Sequence, residues 1–470
     1  MNFIIYDIIF LIAFAILVSV FLYRRKDKIN KEGLLLLYKA EWGIKLINFV
    51  GKKYKKTLQF FSYVSIVIGY FLMAGIIYFF GKLVYIYVVF PSFVESVKIP
   101  PIMPLIPYID KVVPGLGLPP FYFAYWIIII AIIAIPHEFF HGIFASFKKI
   151  KIKKTGFGFF PFFLPVFLAA FVELDENKMK KEKIFSQMAV LSAGTFANVL
   201  TSILFLIVMI LFFSSSFTAS GVIFDDFIYS AVETQHIQNV NGVLLDNPSY
   251  EQVLENIKEG ELNEIYVGGK RYVGVKQFLN KGEIAYLYED LPAINVDLSG
   301  AIVEIEGNKI SSFDEFSNLV SEYSPGEEIE IITTDGENLE EYKIVLAEHP
   351  NDGEKVLLGI AFREADNSGI SGRIRGMMAS FKDPHIYYQA NFEASLFIYN
   401  LLWWIVLISI SVALINMLPV GIFDGGRFFY LTILALTKNK KIAEKSFKYV
   451  TYLFLFLVLL LMVIWFFSLF

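Results

Sequence analysis

Six stretches of this 470-residue chain, at 3–22, 58–80, 121–147, 184–213, 395–418 and 448–470, are long and apolar enough to cross a bilayer as helices. A span needs about 20 consecutive apolar residues. Hydrophobic residues make up 56% of the chain and charged ones only 18%, against about 25% charged in a globular domain. The fold class is therefore an α-helical polytopic membrane protein of about six transmembrane helices, with a soluble α+β region inserted between the fourth and fifth. The first stretch reads as a retained helix. No basic residue or small-residue cleavage site marks it as a signal peptide, and Arg24-Arg25-Lys26 follow directly. Cysteine is absent, which excludes disulfides, a thiolate nucleophile and any Cys-ligated metal.

Charge sorting sets the expected orientation. Segments 23–57, 148–183 and 427–448 hold 11, 9 and 6 Lys/Arg, or 26 of the 41 in the chain. They are alternate loops, so they share one side and read as cytoplasmic. The insert is then extracytoplasmic and both termini face outward, in a multi-pass protein of the cell membrane. Residues 215–394 carry 32 Asp/Glu against 12 Lys/Arg, which argues against nucleic acid as a partner. The expected partners are the lipid bilayer, transmembrane protein substrates, and a peptide or substrate ectodomain at the insert.

After Phe217 the pattern changes to short alternating runs separated by Gly, Pro and Asn. GEIAYLYEDLPA and AIVEIEGNKI read as strands. An amphipathic helix with Phe313, Phe316, Leu319 and Val320 on its apolar face follows, then a hairpin turning on Asp335-Gly336. This order, with its I-x-x-I-x-G signature, resembles the PDZ domains of bacterial and archaeal proteases. A weaker copy precedes it, since 237–257 has the same Gly and following helix as 302–320. The resemblance implies two tandem PDZ-like domains, at 219–282 and 283–370, which would bind an extended peptide as an added strand. The alternative is an acidic spacer without a ligand. Residues 1–57 (first span and basic segment), 58–120 (second span and proline-rich outer loop), 121–213 and 395–470 complete the organisation.

Ionisable residues inside a span are costly and usually functional. The third span carries His137, Glu138 and His141. Histidines at i and i+4 lie one above the other on a helix face, so both can reach one zinc ion. Glu138, beside the pair, can hold a water on that metal. A catalytic zinc takes three protein ligands. With no Cys, and His236, His349 and His385 in the external region, the best third candidate is Asp424, followed by Gly425 and Gly426. A turn or helix cap is the alternative reading of a D-G-G sequence.

HEFFH in one span, with Asn416, Pro419, Asp424 and Gly425 as N-x-x-P-x-x-x-x-D-G in a later one, resembles the site-2 protease family of intramembrane metalloproteases. Ala193–Asn198 (AGTFAN) matches the family's A-G-P-x-x-N, with Thr195 in place of Pro, and Gly421 stands where many members have Pro. Neither departure touches a proposed ligand. The match covers about 121–213 and 395–430, the two halves of a catalytic membrane core, and leaves spans one and two outside. The resemblance implies one Zn2+ per chain on His137, His141 and Asp424, Glu138 as general base, and regulated intramembrane proteolysis with PDZ gating. Asn198 and Asn416 could bond the substrate backbone or the oxyanion, or bridge helices. Segment 155–176, apolar but broken by Gly156, Gly158, Pro161 and Pro165, reads as a re-entrant, partly extended element beside the metal. The proline-rich 91–120 reads as dipping into the interface or shielding a substrate entrance, or as a surface loop packed on the insert. A metal or proton transporter and a proteolytically silent scaffold are the competing classes.

Overall fold

The computed structural model describes residues 3–32, 35–91, 94, 100–103, 105–112, 118–159, 168–275, 284–350, 352–363, 372, 376 and 380–467. Two compact units divide the chain, Met1–Leu211 with Leu396–Phe470, and Phe212–Ser395. All six apolar stretches form helices long and apolar enough to cross a membrane: α1 (Phe3–Arg24), α3 (Lys55–Val89), α4 (Phe123–Phe147), α6 (Ile184–Ser216), α9 (Ser395–Asn416) and α11 (Lys440–Phe467). Shorter helices are α2 (Ile44–Lys53), α5 (Glu176–Lys181) and α10 (Asp424–Thr437).

Close packing of α3, α4, α6 and α10 makes the centre of the membrane unit. Leu72, Met73, Phe144, Ala189, Ala193, Met417 and Phe428 form one buried cluster. Small and hydroxyl residues let the helices approach, as expected in lipid. Ser192 Oγ donates to Ser65 Oγ at 3.1 Å, and a Cβ at Gly69 would lie 3.2 Å from Ser192. A second cluster joins α1, α4 and α9 through Ala15, Phe123, Trp126, Ile129, Trp404 and Ile408.

Segment 155–176 is a strand pair over its described part, β3 (Ile152–Phe159) and β4 (Leu168–Leu174); 160–167 lie outside the described residues. With β1 (Ile29–Glu32) and β2 (Leu35–Ala40) they form one antiparallel sheet in the order β1-β2-β3-β4. The polar N-terminal segment thus completes a sheet whose far edge is β4. The described part of 91–120 packs on the start of α4. Tyr108 N donates to Phe121 O at 2.7 Å and Trp126 Nε1 to Leu105 O at 3.1 Å.

One acid unremarked in the sequence proves structural. Asp7, in α1, is 1% exposed. It accepts from Phe123 N and Ala124 N of α4 at 2.7 and 2.9 Å, and from the Tyr108 hydroxyl at 2.7 Å. These two amides have no intrahelical acceptor, and Tyr122, the cap residue, makes no side-chain cap bond. A carboxylate at a helix N-terminus also meets the positive end of its dipole.

The inserted unit contains β5 (Phe217–Val222), β6 (Asp226–Phe227), β7 (Tyr229–Glu233), β8 (Ile237–Val240), β9 (Val243–Leu244), β10 (Asn263–Val267), β11 (Lys270–Gly274), β12 (Ile284–Glu289), β13 (Ala301–Ile305), β14 (Asn308–Lys309), β15 (Glu328–Thr334), β16 (Leu339–Val345), β17 (Ala347–His349), β18 (Asp352–Leu357), β19 (Ile360–Ala361) and β20 (Ile386–Ala390). Its two larger sheets run β7-β12-β11-β10-β8-β9 and β16-β15-β13-β5-β20, with β14 on β13. The internal copy is visible in three dimensions. β8-β9 and β13-β14 are hairpins turning on Asn241-Gly242 (φ 51 and 88) and Glu306-Gly307 (φ 47 and 77), a turn that needs two left-handed residues. Each is followed by a helix, α7 (Tyr250–Glu255) and α8 (Phe313–Val320), capped by Ser249 and Ser312. A strand then pairs back onto the first strand, β10 on β8 and β15 on β13, and its own hairpin partner, β11 or β16, lies on its far side. The division expected near 282/283 is crossed, because β12 joins the first sheet and β5 the second. A strand pairs where its hydrogen-bonding edge is needed, and chain order alone does not fix that.

Removing the Asp7 carboxylate leaves two buried N–H groups unpaired, at about 2–3 kcal/mol. Asp7→Ala should lower the thermal unfolding midpoint of the detergent-solubilised protein, whereas Ser19→Ala, which loses only a bond back along its own helix, should not.

Candidate metal centre

His137 and His141 face the same side of α4, both 8% exposed, directly after Pro136, which offers no N–H to the preceding turn. Asp424 opens α10. Its position depends on the two glycines that follow. A Cβ at Gly425 would strike the Met417 and Leu418 backbone, and one at Gly426 the Val420 backbone, so only glycine lets 417–421 fold against the first turn of α10. Phe423, the cap residue, makes no side-chain cap bond, and Asp424 points its carboxylate at the histidines instead of at its own helix.

The three side chains converge. His137 Nε2 and His141 Nε2 are 3.1 Å apart, and Asp424 Oδ2 lies 3.5 Å from the first and 3.2 Å from the second. Ligands about 2.0–2.1 Å from a tetrahedral ion sit about 3.3–3.4 Å from one another. The triangle therefore has the size a zinc site requires, and these residues fit the group. Among the described residues, this is the cluster of His and carboxylate atoms that could hold a metal.

The surroundings orient the ligands. His141 Nδ1 lies 2.7 Å from Val190 O, so it carries the proton and leaves Nε2 free to ligate. His137 Nδ1 lies 3.0 Å from Asn198 Nδ2, while Asn198 Oδ1 is buried without a partner. Turning the amide over lets Oδ1 accept from His137 Nδ1–H, the tautomer that leaves His137 Nε2 free to ligate. Asn198 thus sits behind His137 as an orienting residue, whereas Asn416 lines the cleft in front of the ligands. Gly194 is the floor beneath both rings, because a Cβ there would strike His137 and His141. The sequence signal for these roles was the A-G-x-x-x-N match in α6, which carried no indication of what the Gly and Asn touch.

Glu138 accepts from Val172 N in β4, Oε2 at 2.8 Å. Since that amide points at Glu138, it points away from β3. Glu138, His141, Val172, Asn416, Asp424 and Arg427 line one cleft of about 470 Å³. Arg427 ties α10 down through Glu176 at 2.8 Å and Gln187 at 3.4 Å. At the two departures from the family motif, Thr195 bonds back to Ser192 O at 2.9 Å, and Gly421 lines the cleft near Phe447.

A metal-ready triad with a carboxylate beside it, held between helices fit to cross a membrane, defines a membrane metallopeptidase. Peptidase family M50 matches residues 125–461, and the chain belongs to this family, the site-2 proteases. It is also 26% identical over 420 residues to the uncharacterized protein MJ0971 of Methanocaldococcus jannaschii, covering 87% of this chain and 82% of that one.

The orienting shell predicts metal affinity. Loss of a residue that fixes a ligand's tautomer costs about 10–100-fold. The zinc affinity, read from zinc per chain by elemental mass spectrometry across a chelator series, should fall by that factor for Asn198→Ala. It should fall further for Gly194→Val and for Asp424→Ala.

Proposed function

We propose that the protein is a zinc-dependent intramembrane endopeptidase that cuts transmembrane segments of other membrane proteins. The observation that carries this reading is the His137–His141–Asp424 triangle with Glu138 beside it, between helices that can span a bilayer. Zinc bound there would polarise the scissile carbonyl and make water acidic enough to ionise near neutral pH. Glu138 takes the proton from the attacking water and returns it to the leaving amine. The Val172 amide holds one oxygen of Glu138, so the carboxylate is pre-aimed. Asn416 lines the same cleft and is placed to donate to the substrate.

A transmembrane substrate arrives as a helix, because lipid offers its backbone no other partners. It must unwind locally, and its freed amides need acceptors. β4 supplies an edge. Alternate residues of a strand turn their N–H and C=O to the same side, so Ala170 and Leu174 face outward with Val172. An unwound segment added there would run past Glu138 as a fifth strand. On the positive-inside reading this chemistry lies toward the cytoplasmic half of α4, and cleavage releases a cytoplasmic fragment. The acidic insert acts as a PDZ-like filter or reader of a trimmed substrate end.

Two experiments test this. Glu138→Gln should retain zinc and lose about 10²–10⁴-fold in cleavage rate of a reconstituted transmembrane substrate. A variant that still cuts would remove the general base. Excising 219–390 should leave zinc content intact and broaden the range of substrates cut. The join is short, since Asn391 N donates to Ser216 O at 2.9 Å. Unchanged selectivity would sink the filter.

A further inference from the structure

A second cleft of the membrane unit carries no part of this chemistry. It has a volume of about 560 Å³, between the α2–α3 junction and the end of α4, and its lining includes Lys52, Lys55, Lys149 and Lys151 with Asn48 and Ser146. No acidic side chain lines it, and among the described residues none of the four ammonium groups has an ion-pair partner. Surface lysines normally spread apart or find carboxylates. Elsewhere in the same unit Lys39 and Lys154 do so, on Glu173 at 3.1 Å and Glu41 at 2.6 Å.

Packing holds the four cations together. A Cβ at Gly51 would lie 2.8 Å from Ile143 O and from Ser146 Cβ, so α2 rests backbone-close on the last turns of α4. That contact fixes Lys52 and Lys55 opposite Lys149 and Lys151. Lys149 itself adopts φ 63, an uncommon conformation for a side chain branching from an L-residue. Ser146 Oγ donates to Asn48 Oδ1 at 2.8 Å, which aligns the Asn48 amide and leaves its N–H₂ available to the cleft. The C-termini of α2 and α4 offer about half a negative charge each. Four lysines exceed that by about three charges, so the cleft presents a net positive face to an anion.

The cleft's level in the membrane selects the anion. Lys55 begins the span α3 and Phe147 ends the span α4, so the cleft lies where apolar chain meets headgroups. α2 beside it is an interfacial helix, with Leu46 and Phe49 exposed and Lys53 lying over the Phe49 ring at 4.9 Å. We propose that this cleft is a binding site for the phosphate headgroup of an anionic phospholipid, whose acyl chains run down beside α2 and α3. It lies at the C-terminal end of the helix that carries His137 and His141, and stands independently of whether the metal centre is proteolytic.

The test uses the full chain in detergent, titrated with dioleoylphosphatidylglycerol or dioleoylphosphatidylcholine, with bound lipid counted by native mass spectrometry. The expected result is one tightly held phosphatidylglycerol and weaker phosphatidylcholine. Lys52→Gln with Lys149→Gln should weaken the first by about fivefold for each lysine removed. Lys52→Arg with Lys149→Arg should retain it, and Lys26→Gln with Lys445→Gln, remote from the cleft, should leave it unchanged. Equal binding of the two lipids, or a Lys52/Lys149 double variant that binds as the wild type does, overturns the proposal. Displacement of phosphatidylglycerol by millimolar inorganic phosphate reassigns the cleft to a soluble anion and overturns it as well.

Discussion

Asp424 is a carboxylate among apolar helices, and the membrane unit is organised around making that tolerable. An isolated charge in such surroundings costs several kcal/mol, so it must be paired, and its partners must be held. Here the partners are two imidazoles on another helix, at 3.2 and 3.5 Å. Holding them engages nearly every close contact nearby. Gly194 clears the floor, Val190 O and Asn198 fix the two rings, and Gly425 and Gly426 let the loop bend tightly enough to deliver the acid. Three ligand atoms at zinc spacing, each restrained from behind, form a site that is pre-organised before metal arrives.

The same economy appears at Glu138. A base beside a metal has to be close to its water without joining the ligand set. Its bond to Val172 N at 2.8 Å ties it to β4 and keeps the carboxylate turned toward the cleft. Because the tether is a strand edge, the element that aims Glu138 is also the one on which we propose an extended peptide adds. In the proposed reading, aiming the base and receiving an unwound chain both follow from one piece of backbone geometry.

Most of this was legible in the sequence for a simple reason. Spans announce themselves through length, and the i, i+4 spacing of His137 and His141 is a helix rule requiring no tertiary knowledge. Asp424 was readable because it is the sole acid between Glu393 and Glu444. Asn198 was only half readable: its type said hydrogen bonding, but whether it met substrate or His137 depended on the rotation of α6 against α4. Segment 155–176 was recognisable as unfit for a helix, yet its pairing with β2, more than 100 residues earlier, leaves no local trace. The insert shows the same limit. Its two copies of hairpin, capped helix and returning strand were visible as Gly spacing, whereas the exchange of β5 and β12 between sheets was not. Asp7 is not readable in the same way, because one acid in an otherwise apolar span says that a partner exists, without saying which.

The region before residue 125, outside the family match, is bound to α4 at both ends. Asp7 of α1 caps its first turn, and α2 lies backbone-close on its last turns through Gly51. Between them, β2 pairs along β3 from Leu36↔Phe159 to Ala40↔Thr155. A two-stranded sheet of β3 and β4 would have two open edges, only one of them next to Glu138. With β2 in place, the inner sheet position beside β3 is filled and β4 presents the edge nearest the base. A segment unrelated to the triad by chemistry therefore bears on the candidate site by topology. It clamps the helix that carries His137, Glu138 and His141, and it fills the edge of β3 that would otherwise be open.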